Sequence, residues 1–224
     1  MALIEIKDVL KTYRVMNGVQ TKALRGVNLS VEEGSFVSIA GSSGSGKTTL
    51  LNIIGALDKP DEGSIIYEGR DITPIPVNQL SDFRLRKVGF IFQAYNLIST
   101  LTAIENTEYV MLLQGVNARL RRERSIDILK RVGLEEFIDR RPTQMSGGQQ
   151  QRVAVARAIV SEPKVILADE PTANLDSATS MDLISLMREL NREKKITFIF
   201  STHDEMVMSQ ADHVFHMKDG KFES

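Results

Sequence analysis

Four short apolar runs, each stopped by polar residues, set the architecture this chain can adopt. They are Phe36-Val37-Ser38-Ile39-Ala40 before Gly41, Val88-Gly89-Phe90-Ile91-Phe92 before Gln93, Val165-Ile166-Leu167-Ala168 before Asp169-Glu170, and Thr197-Phe198-Ile199-Phe200 before Ser201-Thr202-His203. Their apolar character is near-continuous rather than alternating, the pattern of strands covered on both faces in a parallel sheet with flanking helices. In open α/β sheets, ligands bind beyond the carboxyl ends of the strands. The four polar ends are therefore expected to converge on one edge of the sheet.

Helical periodicity separates the runs. From Ser177 to Asn191, the residues Leu183, Ile184, Met187 and Leu190 form one stripe with the spacing of a buried face. Glu105 to Gln114, Leu120 to Val132 and Gln149 to Val160 also read as helices, which places a helical lobe at 94–158, inserted between α/β core segments 1–93 and 159–224 of a single domain. Ser161-Glu162-Pro163-Lys164 marks its exit, because proline disfavours helix at the residue before it. Ile4 to Tyr13, Leu24 to Val31 and Ser64 to Glu68 alternate, with glycine-containing turns between them, and suggest a smaller antiparallel layer. With 224 residues and 42% hydrophobic content, the chain can bury a core of this size.

The first run leads into Gly41-Ser42-Ser43-Gly44-Ser45-Gly46-Lys47-Thr48, which fits G-x-x-x-x-G-K-[ST], and a helical pattern starting at Thr49 follows. Glycines let backbone N–H groups curl around phosphate oxygens, Lys47 can reach terminal phosphates, and the Thr48 hydroxyl is suited to Mg²⁺. The helix N-terminus behind the loop favours an anion. At the third run's end, Asp169 can hold Mg²⁺, and Glu170 can polarise a water for in-line attack. His203, ending the fourth run, could donate to the γ-phosphate or the attacking water. Gln93 can ligate Mg²⁺ or water through its amide oxygen, although spacing alone equally allows an exposed loop glutamine.

A second glycine turn opens a helix inside the lobe, at Met145-Ser146-Gly147-Gly148-Gln149-Gln150-Gln151-Arg152. Ser146 can cap that helix, and the glycines leave N–H groups open to phosphate. One triphosphate needs only one such loop, and a lobe projecting from the sheet would hold the second nest away from Lys47. The economical arrangement is a head-to-tail pair of chains, each lending its nest to the other's nucleotide.

This ordered set resembles the ATP-binding cassette (ABC) transporter ATPases over nearly the whole chain. The resemblance implies a phosphate-loop nucleoside triphosphatase (RecA-like) core and an ATP- and Mg²⁺-dependent hydrolase. It implies Gly41 to Thr49 as the Walker A loop, with Ser42, Ser43, Gly44, Ser45, Gly46, Lys47, Thr48 and Thr49 holding nucleotide. It also implies Gln93 as the Q-loop residue, Ser146, Gly147, Gly148 and Gln149 as the signature, Val165 to Asp169 as Walker B and Glu170 as catalytic base. Asn174-Leu175-Asp176 matches the D-loop, His203 the switch histidine, and Tyr13 the aromatic that stacks on adenine. Met145 and Ala168 stand where the family usually has leucine. Thr21 to Val27, Leu51 to Asp58 and Ala168 to Thr172 are similar to the lipoprotein-releasing and macrolide-exporter branch. That branch implies an ATP-dependent homodimer on the inner face of the cytoplasmic membrane, held there by integral membrane permease subunits. Tyr95, Leu97, Ile98 and Leu101 could edge a permease groove or fill the lobe's own core.

Other partners and classes are disfavoured. The 28 basic and 29 acidic residues leave a formal charge of −1, so no global field points to nucleic acid or an anionic bilayer. The arginines at 119, 121, 122 and 124 read better as a solvated helix face than as a lipid or RNA contact. With no cysteine there is no disulfide framework and no thiol chemistry. No apolar run approaches the roughly 20 residues that span a bilayer, and 1–7 lacks a signal-peptide layout, so direct membrane insertion is not expected. A non-transport cassette ATPase of DNA repair or ribosomes would bring coiled-coil insertions or a second cassette. A GTP switch or small kinase would leave the second nest without a purpose, and a non-catalytic module would not need Glu170.

Overall fold

The buried runs become strands. In this computed structural model, which describes residues 2–14 and 20–223, β3 (Phe36–Ala40), β6 (Val88–Ile91), β7 (Val165–Asp169) and β8 (Thr197–Thr202) lie in one six-stranded sheet. Met1 and Ser224, the outermost residues of the expected domain, lie outside the described residues. The strand order is β10-β9-β3-β8-β7-β6, where β9 (His213–Lys218) runs parallel to β3 and β10 (Lys221–Phe222) antiparallel to β9. Both faces of its central strands β3, β8 and β7 are buried. Phe36, Phe198 and Phe200 point to one side, with ring centroids 5.5 Å and 4.9 Å from Phe36, while Val37, Ile39 and Ile199 join a second core on the other. Truncating a buried phenylalanine of this kind typically costs about 3–5 kcal/mol.

The second core lies under a four-stranded antiparallel sheet of order β2-β1-β4-β5, formed by β1 (Ala2–Arg14), β2 (Gln20–Glu32), β4 (Glu62–Tyr67) and β5 (Arg70–Asp71). Alternation along β1 and β2 turns Ile4, Ile6, Val27, Leu29 and Val31 inward onto α1 (Lys47–Ile54), while polar neighbours face solvent. A short helix, α2 (Ser81–Lys87), leads into β6.

Between β6 and β7 the described elements are helical: α3 (Ala103–Leu113), α4 (Ala118–Arg131) and α5 (Gly147–Ile159), with short 3-10 turns between α4 and α5. Each long helix starts on a side-chain cap. Thr102 and Glu105 close a reciprocal capping box on α3, Asn117 caps α4, and Ser146 with Gln149 forms the same box on α5. These boxes set the starts of α3 and α5 two residues earlier than the apolar periodicity alone. On α6 (Ser177–Lys194), capped by Asp176, the stripe Leu183, Ile184, Met187 and Leu190 is buried as expected. A single turn, α7 (Glu205–Met208), follows β8.

Register brings the strand ends together. Ala40 pairs with Thr202, Asp169 with Ser201, and Ile91 with Ala168. Gly41, Gln93, Glu170 and His203 consequently emerge along one edge.

Candidate active site

The loop after β3 owes its path to backbone geometry. Gly44 and Gly46 have φ of 78° and 112°, in the left-handed region where a side chain is strained, and a Cβ on Gly46 would lie 2.6 Å from Ala23 O. Gly46 occupies the cap position of α1 without a side-chain cap bond, so the first N–H groups of that helix are open to an anion. Lys47, the first helical residue, is buried and folds back over the loop. Its Nζ donates to Gly41 O at 2.7 Å and Ser42 O at 3.0 Å, and lies 3.3 Å from Glu170 Oε1.

Around the end of β7 the polar groups interlock. Thr48 Oγ1 donates to Asp169 Oδ2 at 2.8 Å, and Ser201 Oγ donates to Asp169 Oδ1 at 2.7 Å. Thr48 and Asp169 thus offer hard oxygen donors side by side, a set that fits Mg²⁺, which commonly takes few protein ligands beside substrate phosphates. Glu170 adopts φ of 48°, and its N–H donates to Ser201 Oγ at 2.9 Å. Its Oε2 lies 2.7 Å from His203 Nδ1. An ionised carboxylate can only accept, so in this pair Nδ1 carries the proton.

These groups border an open cleft of about 1090 Å³, lined by Ser42, Ser43, Gly44, Gly46, Lys47, Thr48, Thr49, Gln93, Glu170 and His203, and by Tyr13. Ser45 sits beneath the loop, its buried Oγ without a protein partner. Tyr13 is anchored at its far end, where its hydroxyl donates to Asp58 Oδ2 at 2.6 Å and Lys11 Nζ lies 5.2 Å from the ring centroid. Burial and the hydrogen bond to Asp58 push the Tyr13 phenol up to about 12. Lys11 also donates to the other oxygen of Asp58 at 2.8 Å. Lys11 and Asp58 were not foreseen as site residues, and Ser201 was foreseen only as the end of an apolar run. Ser201 carried a signal, being the first polar residue after an apolar strand; Lys11 and Asp58 carried none.

The second nest lies elsewhere. None of Ser146, Gly147, Gly148, Gln149 and Asp176 lines the cleft. Gly147 and Gly148 are tightly covered: a Cβ would meet Tyr95 Oη at 2.8 Å and Thr179 Cγ2 at 2.9 Å, respectively. Asp176 accepts from Thr179 N and Oγ1, bonds that hold its carboxyl below the usual carboxylate range. Asn174 Nδ2 donates to Gln93 O at 2.9 Å, tying the segment after Glu170 to the end of β6.

An apolar groove of about 560 Å³ opens between α2, β6 and α3, lined by Leu85, Phe90, Phe92, Val110 and Leu113. Of the segment expected to edge such a groove, Asn96 lines it, whereas Tyr95, Leu97, Ile98 and Leu101 do not. Leu97 packs against the helical core instead.

A family model described as ABC transporter matches residues 24–173. The chain belongs to the ABC transporter family. Its cassette is an ATPase domain of the phosphate-loop class. A macrolide export ATP-binding/permease protein, MacB, of Syntrophobacter fumaroxidans is 44% identical over 225 residues, which cover 100% of this chain and 31% of that protein. The lipoprotein-releasing system ATP-binding protein LolD 2 of Chlorobaculum tepidum is 40% identical over 227 residues, 99% of this chain and 92% of that protein. Among solved structures, a dimeric Methanocaldococcus jannaschii cassette in a post-hydrolysis state with ADP and Pi superposes at a TM-score of 0.91. It shares 43% identity and covers 99% of this chain and 97% of its own.

Proposed function

We propose that two copies of this chain close head-to-tail around two Mg-ATP, and that the closure drives separate permease subunits of the lipoprotein-releasing and macrolide-export type. The observation that carries this reading is the separation of the two phosphate nests. Lys47 lines one cleft with Ser42, Ser43, Gly44, Gly46, Thr48 and Thr49 of its loop, while Ser146 to Gln149 start a helix outside it. A second chain turned about a two-fold axis can present its nest to the open cleft and complete it. The solved dimers of a cassette 43% identical to this one add support.

Within such a site the loop N–H groups and Lys47 grip the phosphates, and Tyr13 offers its ring to the base. Thr48 and Asp169, with Gln93 from the same cleft, would hold Mg²⁺, whose charge would offset that building on the phosphoryl oxygens. Glu170 takes a proton from the attacking water, and His203, braced on Glu170, presents its other ring nitrogen to the γ-phosphate. Asp176, at the start of α6, is bonded to Thr179, whose methyl lies against this chain's own Gly148, so it would travel with the nest to the partner's nucleotide. ATP that binds the closed pair more tightly than the open one shifts the equilibrium toward closure.

The helical segment 94–158 then acts as a lobe that carries the nest against the core of 1–93 and 159–224. The apolar groove beside Phe90 and Phe92 suits a permease helix, with Leu57 and Leu113 41% and 57% exposed at its rim. Among the described residues no helix is long and apolar enough to cross a membrane. Contact with that permease would place the chain at the inner face of the cytoplasmic membrane. The relatives named for lipoprotein release and macrolide export support this branch.

The test is Glu170→Gln. It should retain ATP, stop phosphate release and accumulate a dimer on size-exclusion chromatography; an ATP-loaded monomer would overturn the shared site. Co-purification from membranes with an integral permease tests the transport half, and recovery only with ribosomes or DNA would refute it.

A further inference from the structure

Gln151 lies on the first turns of α5, two residues beyond the nest, and is fully buried. Its Nε2 donates to Pro171 O at 2.6 Å. A carbonyl only accepts, so this bond sets the amide's orientation, and Oε1 is left without a protein partner. Pro171 directly follows Glu170, whose left-handed backbone is costly for any residue but glycine. Such a conformation persists only where the surroundings over-determine it. From β8, Ser201 Oγ accepts the Glu170 N–H. From α5, Gln151 holds the carbonyl of the very next residue, and Ala173 N closes the turn on Glu170 O at 3.2 Å.

The geometry points to Gln151 as a positioning residue that makes the orientation of Glu170 depend on where the signature helix sits. The helix that begins at the Ser146 nest grips, a turn later, the backbone that carries the catalytic base. A phosphate seated on the nest and the base-bearing turn are therefore joined by one stretch of helix and one hydrogen bond. In a pair of chains the nest serves the partner's nucleotide, so each base would report occupancy of the neighbouring site; this consequence rests on the two-chain reading above. A neutral amide suits the task. It reaches across a buried gap, donates to the carbonyl and brings no charge into the interior.

Gln151→Met keeps length and bulk but has no donor, and Gln151→Glu keeps shape while turning acceptors toward Pro171 O. The inference expects kcat for ATP to fall about tenfold in the methionine variant, equivalent to about 1.4 kcal/mol. KM should stay within about twofold of the parent, because nucleotide binding does not use this bond. Melting temperature should move by no more than about 3 °C, since the methionine also removes a buried unpaired acceptor. The glutamate variant should lose more activity; if it does not fold, the methionine variant decides alone. Unchanged kcat, or kcat and Tm falling together with KM rising, would overturn the inference. In a Glu170→Gln background, Gln151→Met should still dimerise with ATP. A monomeric Glu170→Gln parent would sink the two-chain reading and the inter-site consequence with it, while the kcat and KM comparison still decides the positioning role.

Discussion

Lys47 Nζ lies 3.3 Å from Glu170 Oε1, and the other oxygen of the same carboxylate meets His203 Nδ1 at 2.7 Å. The lysine comes from the start of α1, the glutamate from the end of β7 and the histidine from the end of β8. Parallel register alone brings these three elements to one edge, and the charged groups then share a small polar volume above it. The lysine's other two contacts, the carbonyls of Gly41 and Ser42, make it part of the loop's frame as well as the proposed phosphate ligand.

Lys47→Ala should therefore weaken nucleotide binding itself. A charge-assisted hydrogen bond is worth about 1.5–3 kcal/mol, so the dissociation constant for ATP should rise about 10- to 100-fold. Isothermal calorimetry on the variant checks this, and an unchanged affinity would remove the lysine from the phosphate site.

Tyr13 supplies a spectroscopic test. Its phenol is raised to about 12 by burial and by the bond to Asp58, above the ordinary value near 10. The folded state binds this proton more tightly than the unfolded chain does. The stabilisation is thus fully present below the unfolded value and is lost as pH rises through the folded one. Burial raises the Tyr67 phenol further still, so ultraviolet titration should show Tyr13 ionising near pH 12, ahead of Tyr67, and Asp58→Asn should bring the Tyr13 midpoint down. Tyr13→Phe should delete the transition near pH 12, leaving that of Tyr67, while retaining the ring that faces the cleft.

Most of the sheet edge was legible because buried parallel strands have no polar face to confuse the pattern, so Asp169, Gln93 and Ser201 each announced an end. The cap at Ser146 was legible for a related reason, since its chemistry is local, whereas Asp176 was read only through the family match and its capping of α6 came from the structure. What escaped was non-local or short. The β9 residues from His213 to Lys218 mix histidine, lysine and apolar side chains, since much of that strand is exposed, and they carry no clear period. The bond between Lys11 and Asp58 spans 47 positions, and nothing in either neighbourhood announces it. The apolar groove is built from α2, β6 and α3 together, so the segment after Gln93 could not reveal which of its residues would line it.

Asp212 shows how the start of β3 is held. Its Oδ2 accepts from Phe36 N at 3.0 Å and from Arg188 Nη1 at 2.8 Å, and the guanidinium carbon lies 5.1 Å from the Phe36 ring centroid. The bond from Arg188, and then that from Phe36 N–H, lowers the Asp212 carboxyl below its ordinary value. Its contribution is present above that ordinary value and is lost as pH falls through the depressed one. Because the side chain is 37% exposed, solvent screening reduces the gain, and Asp212→Asn should cost about 1 kcal/mol. For a chain of this size that lowers Tm by about 2–4 °C at pH 7, with the gap narrowing below pH ~4.

Two glycine substitutions separate the cradle from the nest. At Gly46, an alanine would have to keep φ of 112° with its Cβ 2.6 Å from Ala23 O, so the loop itself must move. Gly46→Ala should abolish ATP binding to a single chain. Gly148 has ordinary helical backbone, and the obstacle is space: a Cβ would lie 2.9 Å from Thr179 Cγ2. A methyl there crowds the nest and leaves the cleft untouched, so Gly148→Ala should bind ATP as the parent does. Placed in Glu170→Gln, it should lose the ATP-induced dimer, and in the otherwise native chain it should lower turnover by about tenfold or more. Calorimetry and size-exclusion chromatography read the two effects separately. Equal loss of ATP affinity in both glycine variants would mean that the nest belongs to the chain's own nucleotide, not to a partner's.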